Sequence, residues 1–187
     1  AAALGIPVAV RRQGLAACPG VPGRFEAVRA GQPFAVYVDF AHTPAGLESA
    51  LRTLRDVTPG RLHCLIGAGG GRDPGKRPAM GRIAARLADR VVFTSDNPRH
   101  EDPAAILAAL TSGVEVDAGA EVVTELDRRR AIARVLEGAA PGDTVLLAGK
   151  GHETTQTVGG VSHPFDDRVE ARLALGRLGH DDAEVLS

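Results

Sequence analysis

At 187 residues, 44% of them hydrophobic and 24% charged, the chain can bury one full core, and 22 Lys+Arg against 23 Asp+Glu leave no excess charge to draw it to nucleic acid or anionic lipid. No apolar stretch approaches the ~18–20 residues of a membrane span and no charged-then-apolar leader opens the chain, so the expected location is cytoplasmic, with no membrane and no nucleic-acid partner. The two cysteines, Cys18 and Cys64, are too few for a disulfide framework and lack companions at metal-ligand spacing, so both are expected to be reduced.

The chain opens without Met on a short apolar helical turn, as a piece of something longer would. The Pro/Gly-rich run Cys18-Pro19-Gly20-Val21-Pro22-Gly23 then reads as a linker, which places a boundary between 1–23 and a domain spanning 24–187. Short strands are expected at 25–28 and 34–39, separated by Gly31-Gln32-Pro33 at hairpin-like spacing. Thr43-Pro44 fits an N-cap and first helical residue, and Leu47, Ala50, Leu51 and Leu54 fall on one face of a helix ending before Pro59-Gly60. The pattern then repeats: strand 61–66, helix 78–87, strand 90–94, helix 103–110, a short strand near Val122, helix 128–136 and strand 144–148. Strands alternating with helices of this length imply right-handed crossovers and a Rossmann-like α/β fold, a mostly parallel sheet covered on both faces. Gly159-Gly160 between 154–158 and 161–165 signals a β-hairpin, expected as an antiparallel edge, and Asp166-Asp167 opens a last helix.

Three runs, each following an apolar strand-like segment, carry charged or amide groups on bent turns. They are Gly67-Ala68-Gly69-Gly70-Gly71-Arg72-Asp73, Asp96-Asn97-Pro98-Arg99 and Gly149-Lys150-Gly151-His152-Glu153. In an open α/β sheet the carboxyl ends of the strands line one crevice, so these turns are expected to converge on one ligand. The first run imitates two signatures and satisfies neither. Gly70, Gly75 and Lys76 match a P-loop, but Arg77 stands where a hydroxyl should meet Mg²⁺; Gly67 and Gly69 begin a dinucleotide fingerprint, but Arg72 replaces its third glycine. In the second, Pro98 keeps Asn97 out of the helical region, so that Asn97 offers donor and acceptor and Arg99 a planar fork for a carboxylate; the same tetrapeptide also suits a plain capped turn. In the third, Glu153 suits a ligand ammonium, while His152 is either an acid/base group or a hydrogen-bonded structural one. Asp39, at a strand end before His42, either accepts from ribose hydroxyls or caps a helix. His42, His100 and His152 lack the helical spacing of zinc sites, so no metal ligand is expected, and Arg128-Arg129-Arg130 reads as a solvated helix face.

Together, the 20–26 run, the 38–44 run, 69–80, the 96–99 turn and the 149–153 turn resemble the Mur ligases, in the branch that adds meso-diaminopimelate during peptidoglycan synthesis. The resemblance runs from about residue 20 to the last helix. It implies a three-domain ATP-dependent ligase of which this chain is the carboxy-terminal, amino-acid-binding domain preceded by the tail of a central ATPase domain. The substrate joined to diaminopimelate is UDP-N-acetylmuramoyl-L-alanyl-D-glutamate, activated as an acyl phosphate; ATP and Mg²⁺ are held mainly by the central domain, so no catalytic residue is expected here and the isolated chain is expected to be inactive. By the same resemblance Arg72, Asn97, Arg99, Gly149 and Glu153 contact diaminopimelate, and Arg24, Asp39 and His42 lie toward ATP. The segment 21–24 is implied as a hinge. Phe40 stands where the family often has Tyr, and Ala45 where an acid is common. The rival reading is a stand-alone nucleotide-binding protein with a degenerate P-loop.

Overall fold

The computed structural model describes residues 5–18 and 20–180; the expectations that fall on Ala1–Leu4, on Pro19 of the linker run and on 181–187 lie outside the described residues. A helix, α1 (Val8–Ala16), precedes the sheet, and β1 (Glu26–Ala27) pairs antiparallel with β2 (Ala35–Asp39) through Glu26↔Val38 and Ala27↔Tyr37. The remaining elements alternate: α2 (Pro44–Arg55), β3 (Leu62–Ile66), α3 (Lys76–Leu87), β4 (Arg90–Thr94), α4 (Pro103–Thr111), β5 (Glu121–Glu125), α5 (Arg128–Glu137) and β6 (Thr144–Ala148). The sheet order is β1-β2-β6-β3-β4-β5, and every pair after the first is parallel.

Strand periodicity builds two cores. On one face Cys64, Ile66, Val91, Phe93 and Leu146 meet α2, α3 and α4; on the other Val36, Val38, Leu65, Val92, Val145 and Leu147 meet α5 and α6 (Asp167–Arg177). The strands β3 and β6 are buried throughout and almost wholly apolar because both faces are covered, with the buried His63 of β3 paired to Asp143 at 2.9 Å. Cys64 lies in β3, and burial pushes its thiol up to about 12. The Thr43 hydroxyl accepts from the Gly46 amide at 3.2 Å with Pro44 as the first helical residue, the cap expected from the sequence. Among the described residues no helix is long and apolar enough to cross a membrane.

Three expectations need correction. The first strand is only Glu26–Ala27, because Phe25 takes a positive φ of 44° and breaks the run. Helix α3 begins at Lys76 rather than Pro78, since a proline is tolerated in a first helical turn, where its missing N–H has no intrahelical partner to lose. The hairpin β7 (Thr155–Val158) and β8 (Val161–Pro164) is not an edge of the parallel sheet but a two-stranded sheet of its own. The preceding strand β6 is internal, flanked by β2 and β3, so the hairpin finds no free edge beside it and docks instead on the 96–99 turn through an Arg99↔Val158 bridge. The antiparallel edge of the main sheet is β1.

Candidate functional site

Four adjacent strands, β2, β6, β3 and β4, deliver their carboxyl-terminal turns to one end of the sheet. There they line a cavity of about 410 Å³ whose wall includes Phe40, His42, Arg72, Lys76, Asn97, Arg99, Gly149 and Glu153. All five residues expected to hold an amino acid therefore share one concavity, together with His42. A larger hollow of about 640 Å³ lies around the opposite ends of β2 and β6, walled by groups such as Val28, Phe34, Val36 and Pro59; it gathers no comparable set of converging charges.

Gly67 and Gly70 of the first turn serve close packing against the backbone that follows β4. The Gly70 amide donates to the Asn97 carbonyl at 2.9 Å, and a Cβ on Gly70 would overlap the Pro98 carbonyl. The loop is tied down on every side: the Gly69 carbonyl accepts from Arg77 Nη2 (3.2 Å), the Gly70 carbonyl from Arg99 Nη1 (2.7 Å), and the Gly71 amide donates to Glu101 Oε2 (3.1 Å). Arg77, the residue that spoils the P-loop pattern, is buried and forms a bidentate pair with Glu101 at 2.6 and 2.8 Å. That hydrogen bond to Arg77, with the Gly71 amide, holds the Glu101 carboxyl down to about 2. Lys76 Nζ donates to the His42 carbonyl at 2.8 Å, so the lysine of the P-loop-like run braces the neighbouring turn.

Arg72, held at the tip of this loop, is exposed and its guanidinium has no hydrogen-bond partner among the described residues. Arg99 commits Nη1 to Gly70, which leaves the rest of its fork for a ligand. Its backbone adopts a positive φ of 55°, unusual for a residue with a side chain, and is fixed by the hairpin: its amide donates to the Thr157 carbonyl (2.9 Å) and its carbonyl accepts from Gly160 (3.3 Å).

The same cavity is lined by a polar cluster the sequence reading only partly anticipated. Glu153 Oε2 accepts from Asn97 Nδ2 (2.7 Å) and Lys150 Nζ (3.3 Å), while its Oε1 has no protein donor among the described residues. Asn97 is fully used: Nδ2 also donates to Asp96 Oδ1 (3.1 Å), and Oδ1 accepts from the Thr157 amide (2.9 Å) and Lys150 Nζ (3.3 Å). Asn97 thus orients Glu153 rather than presenting an open donor. Asp96 is buried, and desolvation pushes its carboxyl up against the pull of Arg128 and Lys150. Gly149 holds a φ of 111°, closed to side chains, and its amide continues the ladder to the Asp39 carbonyl (3.0 Å).

Beside the cavity, the Arg24 guanidinium lies 4.8 Å from the centre of the Phe40 ring, which also packs against His42 and His152 at 4.4 and 5.1 Å. Asp39 is buried and accepts from the Phe25 amide through Oδ2 at 2.9 Å, so it caps no helix; Arg24 and Asp39 stand next to the cavity rather than in its wall. His100 lies apart, close to Gly160, and the described residues contain no group of three His, Cys, Asp or Glu side chains arranged for a metal ion.

The sequence reading missed Arg128 and Lys150. Arg128, expected on a solvated face, is fully buried: Nε and Nη2 pair with both oxygens of Asp167 at 2.8 and 2.6 Å, and the same guanidinium donates to the carbonyls of Ala148 (3.0 Å) and Ser95 (3.3 Å). It ties the ends of β4 and β6 to the start of α6; Arg130 alone of the three arginines meets the solvated expectation without a cross-element partner. Arg128 lies on the buried stripe of α5, at helical spacing from Ala131, Ile132, Val135 and Leu136, and that spacing is the local signal that sets it apart from Arg129 and Arg130, while its partner lies 39 residues away.

Residues 23–151 match the family profile described as Mur ligase, glutamate ligase domain. The chain is 52% identical over 177 residues to the UDP-N-acetylmuramoyl-L-alanyl-D-glutamate–2,6-diaminopimelate ligase of Streptomyces avermitilis, covering 93% of this chain and 35% of that protein. It is 51% identical over 176 residues to the enzyme of the same name from Thermosynechococcus vestitus, with the same coverage of both. A solved structure of a ligase of that name superposes with a TM-score of 0.82 at 41% identity, covering 95% of this chain and 36% of that one. The chain therefore spans about a third of the length of the curated relatives it matches.

Proposed function

The chain belongs to the Mur ligase family, and on that premise we propose that it is the amino-acid-binding part of an ATP-dependent ligase that adds meso-diaminopimelate to UDP-N-acetylmuramoyl-L-alanyl-D-glutamate in peptidoglycan synthesis. The observation that carries this reading is the set of charges lining a single cavity: Arg72 and Arg99 together with Glu153, which has one carboxylate oxygen open, beside Asp73 and Asp96. A diamino dicarboxylic acid offers a carboxylate for the arginine forks and an ammonium for Glu153, and its second amine is left to act as nucleophile.

In this role the chain positions rather than activates. The D-glutamyl carboxylate, phosphorylated elsewhere in the enzyme, meets an amine already oriented, and such orientation is worth up to roughly 7–11 kcal/mol of a barrier. We place ATP toward the face formed by Arg24, Phe40 and His42, with Asp39 beside it, and assign no Mg²⁺ ligand to this chain. The boundary near residue 23, with 21–24 as the hinge, belongs to the same proposal. The P-loop-like spacing of 70–76 has another basis, since Lys76 and Arg77 are committed to His42 and Glu101, Gly70 packs on the 96–99 turn and Gly75 donates to Asp73.

Lysine lacks one carboxylate, so it leaves an arginine without its anion. Arg72 is exposed and Arg99 half-buried, which puts the loss below the ~3–5 kcal/mol of a fully buried pair and near the ~1.5–3 kcal/mol of a charged hydrogen bond, roughly tenfold to a hundredfold in affinity. Calorimetric titration with meso-diaminopimelate and with L-lysine tests this, in the wild type and in Arg72→Ala, which removes a cation without touching the loop's own hydrogen bonds. The preference for diaminopimelate should shrink in Arg72→Ala and vanish when Arg99→Ala is added. An undiminished preference in both variants would sink the assignment.

A further inference from the structure

We propose that Lys150 is a positioning residue for ligand recognition: its buried ammonium fixes the amide of Asn97 and one carboxylate oxygen of Glu153, so that the other oxygen of Glu153 faces a ligand ammonium. The inference rests on the diamino acid reading above and gives a role to a residue that touches no ligand itself.

Lys150 is fully buried, with 0% of its surface exposed. An ammonium in that position persists only where fixed acceptors surround it. Its Nζ donates to the Thr155 carbonyl at 2.6 Å, to Asn97 Oδ1 at 3.3 Å and to Glu153 Oε2 at 3.3 Å, with Asp96 Oδ1 at 3.7 Å. These acceptors come from three places: the start of β7, the turn after β4 and the turn that carries Lys150 itself. Nζ and the Thr157 amide together turn Asn97 Oδ1 inward, which directs Nδ2 toward Glu153 and Asp96. The orientation of the Glu153 carboxylate is therefore set from behind the cavity wall, by a cation that holds Oε2 directly and again through Asn97.

The charged groups around Nζ are Asp96 from the turn after β4 and Glu153 from its own turn; behind Asp96 stand Arg128 on α5 and Asp167 on α6, paired with each other. Burial already pushes the Asp96 carboxyl up, opposed by Arg128 and Lys150. Removing Lys150 leaves two carboxylates on one amide with a single, already paired cation nearby, so Asp96 takes up a proton more readily and the Asn97 amide loses its fixed direction.

The test uses three variants of the full chain: Lys150→Met, Lys150→Met combined with Asp96→Asn, and Lys150→Arg. The Asn97 side-chain amide resonances are followed by NMR from about pH 5 to about pH 8, beside calorimetric binding of meso-diaminopimelate. In the wild type the amide signals and the affinity should hold constant. Lys150→Met should make the amide signals titrate and weaken binding about tenfold or more, with a pH dependence the wild type lacks. The double variant restores the net charge and should abolish the titration; Lys150→Arg should keep the pH-independent behaviour even if Lys150→Met does not fold. A pH-independent loss shared equally by all three variants would show a merely structural residue and overturn the inference. If the wild type binds no diaminopimelate while the Lys150→Met amide titrates, the ligand reading fails and the positioning role stands; if the wild type binds and the amide does not titrate in Lys150→Met, the positioning role fails alone.

Discussion

Replacing Arg128 with methionine removes the guanidinium that joins three elements at the site end of the sheet. The side chain and its partner Asp167 are both fully buried, paired at 2.8 and 2.6 Å, and the same group satisfies the Ala148 and Ser95 carbonyls at 3.0 and 3.3 Å. Breaking a buried pair by removing one partner leaves an uncompensated charge and costs about 3–5 kcal/mol. For a chain of this size each kcal/mol lowers the melting temperature by roughly 2–4 °C, so Arg128→Met should fall by about 6–20 °C. Replacing both partners, as Arg128→Met with Asp167→Leu, removes the orphaned charge and leaves the two carbonyls unpaired at about 1–3 kcal/mol each, a cost the single variant carries as well. The double variant should therefore be more stable than Arg128→Met alone, with a coupling of about 2 kcal/mol or more in a cycle measured by denaturant unfolding. Because Asp96 follows Ser95 and Gly149 follows Ala148, ligand affinity should drop with the single change and recover in part with the double. An Arg128→Met loss below about 1 kcal/mol, or strictly additive changes around the cycle, would refute the reasoning.

The Arg77–Glu101 pair makes a prediction in acid. With its carboxyl held at about 2 rather than 4.5, Glu101 contributes stability that is fully present above the ordinary carboxylate range and lost as pH falls toward about 2. The stability gap between wild type and Glu101→Gln, measured by thermal melts from about pH 6 down to about pH 2, should be widest at the top and close toward the bottom; a gap that stays constant would contradict the pairing. Gly70→Ala should separate the loop from the 96–99 turn, because the new methyl meets the Pro98 carbonyl. Overpacking of this kind costs about 1–3 kcal/mol, and the displaced Arg72 should weaken diaminopimelate binding further than it weakens folding; a variant with wild-type affinity would show that the loop position does not matter.

What the sequence made legible was local. Apolar runs ending in Gly- or Pro-bent turns located the strands and the polar turns that follow them, since both signals reside in adjacent residues; the convergence of Arg72, Asn97, Arg99, Gly149 and Glu153 then follows from parallel strands whose carboxyl ends share one edge. What stayed hidden was every feature whose cause is a distant partner. Gly159-Gly160 announced a hairpin without saying that it would clamp Arg99, because docking depends on which strands already flank β6. Arg128 resembled its two neighbours in a basic run, although it falls on the buried stripe of its helix; its ion-pair partner Asp167 lies 39 positions on. Lys150 sat between glycines like a loop cation, yet its acceptors include Asn97, 53 residues away. The chemistry of Asn97 offers a donor and an acceptor to the crevice, and residue type cannot reveal that Glu153, Asp96, Thr157 and Lys150 occupy all its hydrogen-bonding groups. Residue type thus points to what a ligand must look like, while the buried second partner of each charged group decides which side chains stay open to receive it.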